Sequence, residues 1–380
     1  MRAVRIAFSF VLLAVCLHLP HALAQQESAS APTKLANRDT AGASSPALNA
    51  GAGSAPKSYA ADSTESVPKS DLVSEDWSVL KVTHLPPEYL PGDTEELGTA
   101  DAPGFTREIV QAHWRDHDPI DLYVMRPKGI KKPPVILYLY SYASKTTDHY
   151  KNLELGKVLT QYGFAAVGFE SALTGERYHD LPQTKWFVSE LQQSLGSTVH
   201  DVQLILDYLE KRGDIDMTRV GMFGDGSGAT IAILAAAADP RIQAVDLLNP
   251  WGDWPDWFAQ TVMIQEKERA DYLKPNFLSS VENLDPVKWL PELKTRRVRL
   301  QYILQGIAVT PRTAMERVEA AAPPNVRIVH YENTHEFLLN VALKGTGLDW
   351  IKEQLGADIP PHGETNTASQ SSGAAKPSER

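Results

Sequence analysis

Cysteine is nearly absent: the 380 residues hold one, Cys16. A single thiol excludes an intramolecular disulfide framework and a cysteine-rich metal site. Basic residues are also in the minority. Thirty-seven Lys and Arg stand against 47 Asp and Glu, a formal net of −10. Nucleic acid is thereby excluded as the main partner, because phosphate binding needs a basic face. There is no Gly-x-x-x-x-Gly-Lys loop, and Gly221, Gly224 and Gly226 do not make a dinucleotide fingerprint. No cofactor is expected. What is present is ordinary: 43% hydrophobic and 22% charged residues. That balance excludes both a wholly disordered chain and a multi-span membrane protein.

The two ends read differently from the middle. Arg2 and Arg5 precede an apolar run from Ile6 to about Leu19, and Ala22-Leu23-Ala24 follows. A charged start, an apolar middle and a small-residue exit describe a secretory signal peptide over 1–24. The run is shorter than the roughly 20 residues a membrane span needs. Val15 before Cys16 argues against lipidation. Export, to a periplasm or the medium, is the expectation, with no stable membrane span after cleavage. A thiol-free mature chain suits an oxidising compartment. Residues 25–70 are mostly Ala, Ser, Pro, Gly, Thr and Lys, with Tyr59 as the one aromatic. Such a segment buries too little to offset the entropy of ordering. It reads as a disordered leader, and 357–380 as a tail of the same kind. The folded part is expected over 71–356.

Between the tails, strands and helices alternate. Arg107–Trp114 and Ile120–Arg126 read as a hairpin. Val135–Tyr140 and Phe164–Phe169 are continuous apolar runs, which fit strands covered on both faces. Leu153–Tyr162 reads as a helix between them. Thr198–Arg212 reads as an amphipathic helix, with Thr198 able to cap it and Gly213 to end it. Arg219–Phe223 is a strand, and Ala229–Ala238 is apolar all round, a helix in the core. Ala244–Leu248, Val298–Leu304 and Val326–Tyr331 complete the strands, with helices over Thr313–Ala321 and Leu348–Leu355. The fold class is α/β: a mostly parallel sheet with helices on both faces. The stretch 249–293 is too long for a plain connection and is expected to form a cap or lid.

The stretch Arg219-Val220-Gly221-Met222-Phe223-Gly224-Asp225-Gly226-Ser227-Gly228-Ala229 resembles the nucleophile elbow of the α/β-hydrolase superfamily. The branch it looks most like holds dienelactone hydrolases, acyl esterases and prolyl-oligopeptidase-type domains. Asp285-Pro286, Leu290-Pro291, Leu304-Gln305-Gly306 and Asn333-Thr334-His335-Glu336-Phe337 are similar to that family's later segments. The resemblance implies an elbow Gly-x-Ser-x-Gly, with the serine exposed on a sharp strand-to-helix turn. Here the frame Gly224-x-Gly226-x-Gly228 puts Gly226 in the serine's place, and Ser227 stands one residue late. The acid position falls on Val309, which cannot orient an imidazole. His335 matches the family's histidine, in the loop expected after the last strand. Asp253 and Asp256, beyond the strand that precedes the insertion, are the alternative acids. The resemblance also implies an oxyanion site built from the Ser227 N–H and the loop containing Ser141 and Tyr142.

Two vacant triad positions make a degenerate site the leading expectation: an exported noncatalytic protein that binds a small ligand or a partner. Two alternatives stay open. One is an active ester or amide hydrolase that uses Ser227 with His335, or a water activated by His335 and Asp225, on an ester-like substrate. The other is an envelope-associated structural protein. Trp251, Trp254 and Trp257 either line a pocket or pack the insertion onto the sheet. His113, Asp116, His117 and Asp118 have the composition of a metal cluster but not its spacing, so no metal is expected. The oligomeric state is left open.

Overall fold

A computed structural model describes residues 75–82, 94–115, 118–141, 154–173, 190–306, 310–344 and 346–356. The signal-like segment, most of the leader, the tail, Tyr142 and Val309 lie outside these residues.

The sheet begins with antiparallel pairing. β1 (Thr94–Ala102), β2 (Phe105–Ala112) and β3 (Ile120–Pro127) run as a meander, with Ala112 opposite Ile120 and Ala102 opposite Phe105. Parallel units follow. They are β4 (Pro134–Leu139), α1 (Glu154–Gln161), β5 (Ala165–Phe169), α2 (Leu191–Arg212), β6 (Asp216–Asp225), α3 (Ser227–Ala238) and β7 (Ile242–Leu248). Four short helices come next: α4 (Trp254–Gln260), α5 (Glu266–Tyr272), α6 (Pro275–Val281) and α7 (Pro286–Trp289). The chain closes with β8 (Arg297–Gln305), α8 (Arg312–Ala321), β9 (Arg327–Asn333), α9 (Thr334–Lys344) and α10 (Thr346–Leu355). The nine strands lie in the order β1-β2-β3-β5-β4-β6-β7-β8-β9. β4 through β9 pair in parallel.

Side-chain alternation divides the core into two layers. Along β4, Val135, Leu137 and Leu139 face one cluster, and Ile136 and Tyr138 face the other. The first cluster also takes α2, α3 and the 249–293 insertion. The second takes α1, α9 and α10. Burial on both faces explains why these strands read as unbroken apolar runs. α3 is apolar on every side because strands and helices surround it: Ile231 through Ala235 are fully buried.

One strand is added and two expectations are corrected. β1 was not foreseen, because Thr-Glu-Glu-Leu-Gly-Thr-Ala-Asp-Ala carries no apolar run, and residues 96–101 are exposed. It is held by its ladder to β2 rather than by burial. α2 starts at Leu191, seven residues before the expected cap at Thr198. Thr198 sits inside the helix, where its hydroxyl donates to Ser194 O at 2.7 Å and accepts from Ala172 N–H at 3.0 Å. The small polar residues before it form a helix face whose hydroxyls bond back to backbone carbonyls one turn earlier. β6 extends to Asp225, so Asp225 belongs to the strand rather than to the turn.

Residues 75–82 form a strap across that polar face of α2. Gln203 Nε2 donates to Leu80 O at 2.7 Å, and Val82 N–H donates to Gln203 Oε1 at 3.1 Å. The Glu75 carboxylate accepts from Arg115 Nε at 2.6 Å and Nη2 at 2.7 Å, and meets His200 Nδ1 at 2.5 Å. Burial opposes the charge on Glu75, but the bonds from Arg115 and His200 outweigh it and bring the carboxyl down to about 2.

Candidate functional site

The site is built where β6 turns into α3. Three glycines make that turn. A Cβ on Gly224 would come 2.4 Å from the Gly228 backbone, and one on Gly228 would come 2.4 Å from Leu139 O. No side chain fits at either place, so β4, the end of β6 and the start of α3 touch through backbone. Gly226 stands at the apex with φ +52° and ψ −115°. That conformation favours glycine. Its N–H donates to Leu248 O at 2.9 Å, which ties the apex to β7.

The space above the apex is occupied. A Cβ on Gly226 would lie 2.2 Å from Ser141 Oγ, 2.9 Å from Ser141 Cβ and 3.3 Å from Trp251 Nε1. The parallel register explains the approach. Leu139 lies opposite Gly224, so the chain leaving β4 passes beside the elbow two residues later. Ser141 had been read only as part of an oxyanion loop. Its contact with Gly226 had no sequence signal, because it depends on the pairing of β4 with β6.

Ser227 is the first residue of α3 and is fully buried. Asp225, at the last position of β6, is also buried. Desolvation pushes its carboxyl up to about 7, against the Gly226 N–H, which favours the charged form.

His335 is corrected from a loop to the first turn of α9, where it is exposed. β9 runs two residues further than expected, to Asn333, and α9 starts at once. The reason is a local cap. Asn333 Oδ1 accepts Glu336 N–H at 3.0 Å, and Glu336 Oε2 accepts Glu332 N–H at 2.6 Å. Among the described residues, no hydrogen bond or ion pair joins His335 to Asp225, Asp253 or Asp256.

The chain leaving β7 is held tightly beside the elbow. Asn249 has φ +46° and Asp253 φ +55°, a left-handed conformation that is uncommon for residues with a Cβ. Asn249 N–H donates to Gln301 O at 2.8 Å, and its Oδ1 accepts Ile303 N–H at 2.9 Å. Thr230 Oγ1 donates to Trp251 O at 2.9 Å. Asp285 accepts the N–H groups of Asp253 and Trp254, each at 2.9 Å, and of Val287 at 3.0 Å. Burial, then the charges of Asp256 and Asp285, raise the Asp253 carboxyl to about 6. Asp253 thus feels the negative charge of both Asp256 and Asp285 and shares a hydrogen bond with Asp256.

Trp251, Trp254 and Trp257 are buried in the core. Trp251 and Trp257 lie 4.7 Å apart, and Trp254 stacks on Phe258 at 5.5 Å. They pack the insertion onto the sheet, and the Trp251 indole edge also reaches the apex. His113 is exposed, and Asp118 is 3.8 Å from Arg115. His117 and Asp116 lie outside the described residues. No cluster of three metal-ligating side chains occurs among the described residues.

No family model matches the chain. It is 24% identical over 178 residues to YtaP of Bacillus subtilis, named as a hydrolase, covering 43% of this chain and 59% of that protein. It is 23% identical over 199 residues to the 2,6-dihydropseudooxynicotine hydrolase of Paenarthrobacter nicotinovorans, covering 50% and 48%. The chain spans about half the length of the curated relatives it matches. An acetyl xylan esterase from Paenibacillus sp. R4 superposes with a TM-score of 0.53 at 16% identity, over 69% of this chain and 89% of that one. At that identity the superposition establishes shared architecture and no more.

Proposed function

We propose that this chain, whose fold is that of the α/β-hydrolases and whose relatives are hydrolases, is an exported binding protein for a small ester-like ligand. It no longer runs the serine-triad reaction. The observation that carries this reading is Gly226, which holds a left-handed apex conformation with no side chain to attack a carbonyl.

Loss of the nucleophile from a hydrolytic triad costs about a millionfold in turnover in the worked subtilisin case. The burial of Ser227 and the exposure of His335 support the same conclusion, since a displaced pair would need both at one surface. The valine at the expected acid position, Val309, is a second loss. Ligand binding is supported by what remains of the site: backbone and polar groups gathered at the strand-to-helix turn, where a sheet of this type receives its ligands. Export is supported by the charged, apolar and small-residue order of residues 1–24.

The test is steady-state turnover on short-chain p-nitrophenyl esters, together with saturation-transfer NMR on phenyl acetate. Binding without repeated turnover is the expected result. Sustained hydrolysis by the purified full chain overturns the reading, and so does absence of binding.

A further inference from the structure

His200 is buried in the α2 face that the 75–82 strap covers. Each of its ring nitrogens meets an oxygen of the strap. Nδ1 lies 2.5 Å from Glu75 Oε1, and Nε2 lies 2.8 Å from Val79 O. A carbonyl oxygen only accepts. So does the Glu75 carboxylate, which the two N–H groups of Arg115 help to keep ionised. Both ring nitrogens therefore have to donate. A neutral imidazole has one N–H, so either tautomer would set a lone pair against one of the two oxygens.

The strap is shaped to present these acceptors. Asp76 Oδ1 accepts the Ser78 N–H at 3.0 Å and the Ser78 hydroxyl at 2.6 Å, and Val79 N–H donates to Asp76 O at 3.3 Å. That turn sets the Val79 carbonyl at the ring edge. The charges gathered here also favour a cation. Among the described residues they are Glu75 and Asp76 on the strap, Asp118 just before β3 and Asp201 on α2. Arg115, after β2, bonds Glu75 and Asp201 and lies 3.8 Å from Asp118. One guanidinium thus meets a surplus of carboxylates, and a charged ring at His200 offsets part of it.

We propose that His200 is a buried imidazolium that latches the strap to α2, and that the strap lets go as pH rises and the ring yields one proton to water. Histidine ordinarily changes charge between about pH 5 and 8. The Arg115 guanidinium stays charged throughout, and Glu75 loses its charge only toward pH 2. The latch is therefore closed on the acid side and open on the alkaline side. Deprotonation removes one of the two bonds and leaves a lone pair facing an oxygen in a buried place. Release uncovers the part of α2 beneath Trp77, where Gly196 meets the Trp77 backbone. The sheet stays whole, because the strap supplies no strand to it. The latch does not depend on a ligand at the elbow.

The experiment follows the full chain from about pH 5 to 9 by nitrogen-15 NMR of the His200 ring and by limited chymotrypsin cleavage after Trp77 and Leu80. A free peptide of residues 75–82 is the rate standard at each pH. Two ring N–H groups are expected at the acid end, and one is lost on the way up. Strap cleavage should rise about tenfold or more over the same interval, the scale of one charged hydrogen bond, with the sheet uncut. Glu75→Gln removes the facing charge and should release the strap at lower pH. His200→Gln should be cut alike at every pH. A neutral ring in the closed strap at the acid end overturns the proposal. So does wild-type cleavage that ignores pH, or a rise left unchanged in Glu75→Gln or in a folded His200→Gln. The wild-type readings decide the matter even where His200→Gln fails to fold.

Discussion

Gly196, inside α2, touches the backbone of Trp77. A Cβ at residue 196 would come 2.2 Å from Trp77 O and 2.8 Å from its Cα. The strap at 75–82 therefore needs a glycine under it, and the helix tolerates that glycine because the strap covers it. Overpacking against fixed backbone costs about 1–3 kcal/mol. Gly196→Ala should lower stability by about that amount and expose 75–82 to protease while the sheet stays resistant. Wild-type urea midpoints and wild-type cleavage would contradict this account of the strap.

The apex offers a two-residue cycle. Gly226→Ser puts a side chain at φ +52°, which costs about 1–3 kcal/mol. It also drives a Cβ into Ser141, at a comparable cost. Ser141→Gly should remove the second part. The coupling between the two substitutions is expected to be about 1 kcal/mol or more, favouring the double variant. Additive urea midpoints would mean that Ser141 swings away freely and the two residues are independent.

Asp225 sets a pH slope. Its folded pKa, about 7, lies above the ordinary carboxylate value of 3.8. The folded state then holds more protons than the unfolded one between about pH 4 and 7, so stability falls as pH rises through that window. The ceiling on this loss is about 4 kcal/mol, from 1.36 kcal/mol per unit. Asp225→Asn should flatten the slope. Asp253, raised to about 6, leaves a residual slope of the same sign. Glu75, lowered to about 2, acts the other way: its contribution is lost as pH falls from about 4.5 toward 2. Urea titrations at pH 4 to 8 read this directly. An unchanged slope in Asp225→Asn would place its source elsewhere.

A fourth prediction concerns the buried pair Asp246–Arg299. Arg299 Nε donates to Asp246 Oδ1 at 2.8 Å, Gln301 Nε2 donates to the same oxygen at 2.8 Å, and the guanidinium lies 5.1 Å from the centre of the Trp350 ring. Breaking such a pair leaves a buried charge alone and costs about 3–5 kcal/mol. Arg299→Met alone should lose that much in chemical denaturation. Asp246→Leu combined with Arg299→Met should recover most of it, because the desolvation cost disappears with the charges. A double variant as weak as the single one would show that Gln301 and Trp350 depend on the pair.

The apolar middle of the molecule was legible because burial on both faces writes itself into composition. Val135–Leu139, Ala165–Phe169 and the all-apolar α3 needed no further signal. The glycine frame around 226 was legible for the same local reason, since close backbone approach demands residues without a Cβ. β1 and the first two turns of α2 were not. Their stability comes from a ladder and from a strap more than a hundred residues away in sequence, and neither leaves a periodic trace. His335 was placed in the right order but the wrong element, because the Asn333–Glu336 cap fuses β9 to α9 without a connecting loop. The meeting of Ser141 with Gly226 belongs to strand register. No pattern in either segment contains it.

The bend at Gly226 is carried by the helix least able to breathe. Ile231 to Ala235 are sealed on every side, so their amides should exchange with deuterium only when the whole molecule opens. The groups that would meet a ligand are thus mounted on the slowest-exchanging part of the chain. Whatever adapts to a guest must approach from the flanking segments, with the floor beneath it standing still.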